Sequence, residues 1–193
     1  MYDRILQNVS AFITLTDEER DYFIGILQSK NLRKRQYLVQ AGDPCRYECF
    51  INKGCLRQYY VDDAGQEHIV MFAEEGWWIS DMFGLVTGNA ALTNVDALED
   101  AELLLIEKNA FEKLMLQYPV FERFFRIKLQ RAFIAHQRRL IENMSLPAIQ
   151  RYNNFAEQYP SFEQRVPLKQ IASFLGITPE SLSRIRRQRL KER

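Results

Sequence analysis

The chain is poor in the residues that build redox, metal or catalytic centres: it has two histidines and three cysteines among 193 residues. Cys45, Cys49 and Cys55 are odd in number, which excludes a full disulfide framework. Three thiolates at these spacings also fall short of the set an iron–sulfur cluster uses, and buried structural cysteines are the expectation. His68 and His136 have no companion cluster of ligands, so no metal is expected. No nucleophile–base motif accompanies them, and an enzyme built on a cupin-like barrel is not expected either. No apolar run approaches the ~20 residues that span a bilayer. The start, Met1-Tyr2-Asp3-Arg4, does not read as a signal peptide. A cytoplasmic protein without a membrane partner is the expectation.

Net charge is nearly absent too, at +1. Its distribution is uneven: residues 1–122 carry 11 Lys/Arg against 20 Asp/Glu, and residues 123–193 carry 15 against 5. An acidic first part and a basic last part suit a polyanionic partner at the C-terminal end.

The pattern along the chain changes twice. Residues 1–30 read as helical, with Thr16 capping a first turn that holds Asp17, Glu18 and Glu19. Residues 32–106 hold short β-rich runs separated by turn signals, the mark of an antiparallel sandwich or barrel. Asp62 to Gln66 forms a hairpin loop between two of them. From Lys108 the period is helical. Ala110 to Gln117 makes a short helix that stops before Pro119. A run from Val120 to Met144 follows, without glycine or proline. It carries two apolar stripes. Val120, Ile127, Ile134 and Ile141 form one; Phe125, Leu129, Phe133 and Leu140, with His136 among them, form the other. A helix apolar on two sides must bury both. One side is expected on the β domain and the other on a second copy of the chain. Residues 144–147 read as a hinge, and Pro147 can start the next helix.

The last 27 residues are the most informative. Leu168, Ile171, Ala172 and Leu175 give one helix an apolar face, and Gly176 supplies the left-handed residue at its end. Thr178 is a good N-cap and Pro179 suits the first helical position. Leu182 and Ile185 then face inward, leaving Pro179, Glu180, Ser183, Arg184 and Arg187 outside. Two short helices joined this way make a helix-turn-helix whose second helix can enter the major groove of double-stranded DNA. Arg186, Arg189, Lys191 and Arg193 are placed to meet phosphate.

This order resembles the Crp/Fnr family of bacterial transcription regulators. The motifs that carry the resemblance are Ala41-Gly42-Asp43-Pro44 with Ile51 to Gly54, Asp63 to Gln66, and Gln170 to Ile185. The fold it implies is α+β. Residues 1–118 would form a cyclic-nucleotide-binding-like antiparallel β-roll (a double-stranded β-helix) with N-terminal helices. Residues 119–144 would form a long dimerisation helix, and 145–193 a helix-turn-helix domain; family members usually carry a β-wing there, and in this chain it is expected to be reduced or absent. The resemblance implies a homodimer on a palindromic site, with RNA polymerase as a further partner. It assigns base recognition to Pro179, Glu180 and Arg184; Thr178, Ser183, Arg187 and Arg189, read from the helix itself, complete the expected DNA contacts. Pro179 stands where relatives that read the best-known site have arginine, so a different half-site is expected.

The effector site departs from the family pattern. A gap-free alignment places Ser80 and Asp81 at the pair that holds the ribose, and Ala91 and Leu92 at the phosphate pair. His136 and Gln137 fall where the base approaches. Asp81 could accept a ribose hydroxyl, but Ala91 replaces the phosphate-binding arginine, and a phosphate buried without a charged partner is costly. Cyclic AMP is therefore not expected, and no cofactor is. A less anionic ligand near Trp77, Trp78, Met82 and His136 remains open. The leading function is a sequence-specific DNA-binding transcription regulator. The alternative is a ligand- or protein-binding module whose basic C-terminal helices dock a protein.

Overall fold

The computed structural model describes residues 1–191. Arg193 and the Lys191 side chain, both expected to meet phosphate, lie outside the described part. Helix α1 (Asp3–Ser10) and helix α2 (Asp17–Gly25) open the chain. Thr16 caps α2 in a full capping box with Glu19. The helical stretch expected through residue 30 ends earlier, because strand β1 (Leu27–Leu32) pairs antiparallel with strand β8 (Ala101–Glu107) along its whole length. That long-range pairing overrides the local helical pattern.

Between them run β2 (Tyr37–Val39), β3 (Tyr47–Lys53), β4 (Leu56–Val61), β5 (Glu67–Ala73), β6 (Trp78–Ile79), helix α3 (Met82–Thr87) and β7 (Asn94–Ala97). The strands form two four-stranded antiparallel sheets, ordered β1-β8-β3-β6 and β2-β7-β4-β5. Asp62 closes the β4–β5 hairpin by accepting the Ala64 and Gln66 N–H groups. Gly54 turns β3 into β4 at φ +101°, where a Cβ would stand 2.7 Å from Ala101 Cβ and 2.8 Å from the Asp100 carbonyl. Only glycine fits that approach.

Strand alternation then sorts the core into layers. Cys49, Ile51, Leu103 and Leu105 point between the sheets, where they meet Leu56, Ala73, Val95 and Ala97. Phe50, Leu104 and Ile106 point outward from the first sheet, onto α1, α2, helix α4 (Lys108–Gln117) and the first turns of helix α5 (Pro119–Ser145). Tyr59, Ile69 and Phe72 point outward from the second sheet, and the C-terminal helices cover them. Those helices are α6 (Ala148–Gln158), α7 (Phe162–Arg165), α8 (Leu168–Phe174) and α9 (Pro179–Lys191). Among the described residues no strand follows β8, and the segment before α8 holds the single turn α7 rather than a wing.

Two sequence expectations change here. Phe125 is not on the outer face of α5: it is buried against Phe111, Phe124 and Trp78 of its own chain. Conversely, Ile134 and Ile141, expected on the β domain, are exposed. The roll covers α5 only over its first turns, so both stripes are buried early and both emerge later.

Candidate nucleic-acid interface and the roll interior

The helix-turn-helix is built by its local chemistry. Gly176 sits at φ +63°, its N–H donates to the Ser173 carbonyl at 3.1 Å, and Ile177 N–H donates to the Ala172 carbonyl at 3.0 Å. This is the Schellman arrangement that ends a helix on a left-handed residue. Thr178 then caps α9 by accepting the Ser181 N–H at 3.2 Å, with Pro179 in the first helical position. Ile171, Ala172, Leu175, Leu182 and Ile185 are buried together between the two helices and α6. Pro179, Glu180, Arg184 and Arg187 are exposed on the opposite side, and Ser183 is half-buried beside them. Arg189 is different. Its side chain is 23 % exposed and its Nη1 lies 3.6 Å from Glu163, so its guanidinium faces its own domain rather than the exposed side of α9.

The residues aligned to an effector site are either engaged within the chain or exposed. Asp81 is buried and caps α3: one carboxylate oxygen accepts the Gly84 N–H at 2.7 Å, and the other accepts the Thr93 N–H at 3.0 Å and the Thr93 hydroxyl. Both oxygens are thus taken within the chain. Gln58 donates to the Thr93 hydroxyl at 2.7 Å and to the Ser80 carbonyl. The Ser80 hydroxyl donates to Glu48, which also accepts from Lys128 of α5. Ala91 is buried with Cys45 and Leu85, while Leu92 and Met82 are exposed. Trp78 belongs to the aromatic core, and its indole N–H donates to Asn8. Trp77 packs on Tyr159 and Phe162. His136 and Gln137 are exposed on α5, about 12 Å along the helix from Lys128 at 1.5 Å per residue. Trp77, Trp78, Met82 and His136 thus have different surroundings: two are packed among aromatic rings and two are exposed.

The roll's buried arginine is also committed. Arg57 donates to Asp96 and Glu67, with its Nε 2.7 Å from Asp96. Burial works against its charge, but its hydrogen bonds to the two carboxylates outweigh that and raise its pKa. The three cysteines are buried and unpaired. Burial pushes the Cys55 thiol up to about 12 and raises Cys45 and Cys49 as well, which leaves them unreactive. His68 lies in the β4–β5 hairpin, where its Nε2 meets Asp62 at 2.7 Å. That contact holds the Asp62 carboxyl below its usual range.

A face of α5 is left uncovered. Leu129, Phe133, Ile134, Leu140, Ile141 and Met144 are 45–79 % exposed, an apolar surface made where both stripes emerge from the roll.

A contact between the two ends of the chain had no signal in the sequence. Arg165 of α7 donates to Glu74, Glu75 and Glu99 of the roll. Ser173 of α8 meets the backbone of β5.

Taken together, the fold is a cyclic-nucleotide-binding-type β-roll joined by a long helix to a helix-turn-helix. Residues 29–118 match the cyclic nucleotide-binding domain family. An anaerobic regulatory protein of Haemophilus influenzae is 24 % identical over 185 residues, covering 89 % of this chain and 71 % of that protein. Among solved structures, the c-di-GMP-responsive global regulator CLP of Xanthomonas campestris superposes with a TM-score of 0.75 at 14 % identity, covering 92 % of this chain and 93 % of that one. FixK2 of Bradyrhizobium japonicum gives 0.75 at 18 % identity, covering 86 % of each chain. The chain thus carries a cyclic nucleotide-binding domain over residues 29–118 and shares the overall fold of these two proteins.

Proposed function

We propose that the protein is a homodimeric, sequence-specific DNA-binding regulator of transcription that works without a cyclic nucleotide. One observation carries the reading: α9 buries Leu182 and Ile185 and leaves Pro179, Glu180, Arg184 and Arg187 exposed together. Arg184 offers a bidentate fork to guanine, and Glu180 can accept from cytosine N4. Ser183 can bond to either kind of base edge, and Arg187 supplies charge for the backbone. Thr178 holds the first turn in place through its cap. Arg189, read from the sequence as a DNA contact, serves instead to hold α9.

The dimer is supported by the stripe Leu129, Phe133, Leu140 on α5, with His136 at the same spacing. A second copy packed along it would bury these groups and relate two recognition helices by a two-fold axis, which calls for a palindromic site. RNA polymerase as a downstream partner is the part of this reading carried by the family resemblance alone.

Independence from cyclic AMP is supported by three groups: Asp81 has both oxygens engaged, Ala91 is apolar and buried, and Arg57 is spent on Asp96 and Glu67. Cyclic AMP is expected to change neither the melting temperature nor the DNA affinity.

Binding to duplex DNA across a salt series tests the function. Raising salt from about 50 to about 200 mM should weaken binding steeply, as counterion release at several phosphates requires. Affinity that is low and indifferent to salt would favour the protein-docking alternative.

A further inference from the structure

We infer that Arg165 is a positioning residue for DNA recognition: it clasps the helix-turn-helix domain to its own β-roll, and this clasp sets the direction in which the recognition helix points. The inference rests on the DNA-binding reading above and goes beyond it by naming what orients the domain.

The helical pattern breaks at residues 144–147 as expected, since α5 ends at Ser145 and Leu146 leaves the helix at ψ 143°. A hinge alone would let the two halves of the chain swing. Three layers of contact oppose that. The first is ionic. Arg165 Nη1 lies 3.1 Å from Glu74 and 2.8 Å from Glu75, its Nη2 lies 3.0 Å from Glu75, and it also reaches Glu99. The planar guanidinium satisfies several carboxylate oxygens at once, which an ammonium cannot do. Without it, three like charges would face one another across the turn after β5. Ser161 adds a bond to Glu74 at 2.6 Å.

The second layer is apolar. Phe72 of the roll packs on Phe162 and Phe174 at ring distances of 5.6 and 5.4 Å. Trp77 stands edge-on to Tyr159 and Phe162. Swinging the domain away would return these rings to water.

The third layer is backbone. β5 is the last strand of its sheet, so part of its outer edge would otherwise be unpaired. Ser173 accepts the Ile69 N–H at 3.0 Å and donates to the Glu67 carbonyl at 2.9 Å. Arg139 of α5 donates to the Val70 carbonyl, one residue beyond Ile69. The long helix and the helix-turn-helix thus grip the same strand edge. The polar groups inside the roll are already engaged: Asp81, Thr93 and Gln58 bond to one another, and Arg57 is held by Asp96 and Glu67.

The test uses the full chain, Arg165→Met and Arg165→Lys, on duplexes carrying the selected half-sites with the spacing changed one base pair at a time. Hydrogen exchange at the Ile69 amide is followed in the same samples, because that N–H reports docking whether or not DNA is bound. The wild type should show one sharp spacing optimum and a protected Ile69 amide. Arg165→Met should bind the best spacing about tenfold more weakly, a typical coupling factor. It should also tolerate neighbouring spacings and exchange Ile69 faster; Arg165→Lys should fall between. A merely structural arginine would lower the melting temperature without broadening the spacing preference. If Arg165→Met does not fold, Glu99→Gln removes one arm of the clasp and should shift both readouts the same way. Retention of the sharp optimum in a folded variant overturns the inference. A wild type that binds no duplex at all overturns the DNA reading as well, and the Ile69 exchange then shows separately whether the clasp forms.

Discussion

Arg189 lies over the ring of Tyr152, its guanidinium carbon 5.4 Å from the ring centre. The same tyrosine donates its hydroxyl to Glu163, and Arg189 stands 3.6 Å from that carboxylate. Burial, followed by the bond to Glu163, raises the Tyr152 pKa. Three side chains from α6, α7 and α9 thus hold the recognition helix in place. Arg189→Ala should lower stability by about 1 kcal/mol through the lost cation–π and ionic contacts, with little change in the salt dependence of DNA binding. Arg187→Ala should do the reverse, reducing the salt slope by about 1 while leaving stability alone. Denaturant titration and salt titration of both variants separate the two roles.

Arg184 is exposed on the recognition face. Arg184→Ala should cost about 1–3 kcal/mol of discrimination at one base position and make the preferred half-site less selective there. A panel of duplexes with single base changes, measured at fixed salt, reads this directly. Equal loss on every duplex would reassign Arg184 to the backbone.

Phe125 and Phe133 separate packing from assembly. Phe125 is 3 % exposed and Phe133 is 67 % exposed. Phe125→Ala should cost about 3–5 kcal/mol of stability, as deletion of a buried ring does. Phe133→Asp should leave the fold intact but place a charge in the seam between two α5 helices and yield monomers. Sedimentation of the two variants distinguishes the outcomes.

The clasp has a pH signature. Burial would raise the Glu75 pKa, but the bonds from Arg165 and from the Gly54 N–H outweigh it and hold the carboxyl at about 2. A depressed carboxylate contributes stability that is present above its unfolded pKa, near ~4.3. That contribution is lost as pH falls through the folded value. The wild type should therefore lose melting temperature between about pH 4 and pH 2. Glu75→Gln should start lower and show a shallower fall across the same interval. Parallel curves for the two proteins would contradict the assignment.

What was legible in the sequence was local. Gly176, Thr178 and Pro179 each carry a conformational preference that needs no distant partner, and the turn they specify is the one observed. The hairpin at Asp62 and the capping box at Thr16 are legible for the same reason. Pairings across long separations were not. Arg165 meets Glu75 across 90 positions, and Ser173 meets Ile69 across 104; no periodicity links them. Asp81 stands where the alignment placed an acid, yet its engagement with Thr93 depends on how α3 and β7 pack. Phe125 and Phe133 share one stripe by spacing, and only the point at which α5 leaves the roll separates the buried ring from the exposed one. Leu27 to Lys30 continue a helical pattern and still form a strand, because β8 offers them a partner.

The central claim is that a dimer of this chain reads a two-fold DNA site without a cyclic nucleotide. Selection from random duplex DNA with the purified protein, in the absence of any small molecule, tests it most directly. The account predicts an enriched palindrome with half-sites about one helical turn apart, ~10–10.5 base pairs between centres. No enrichment at low salt, where non-specific binding to duplex is still strong, would contradict it.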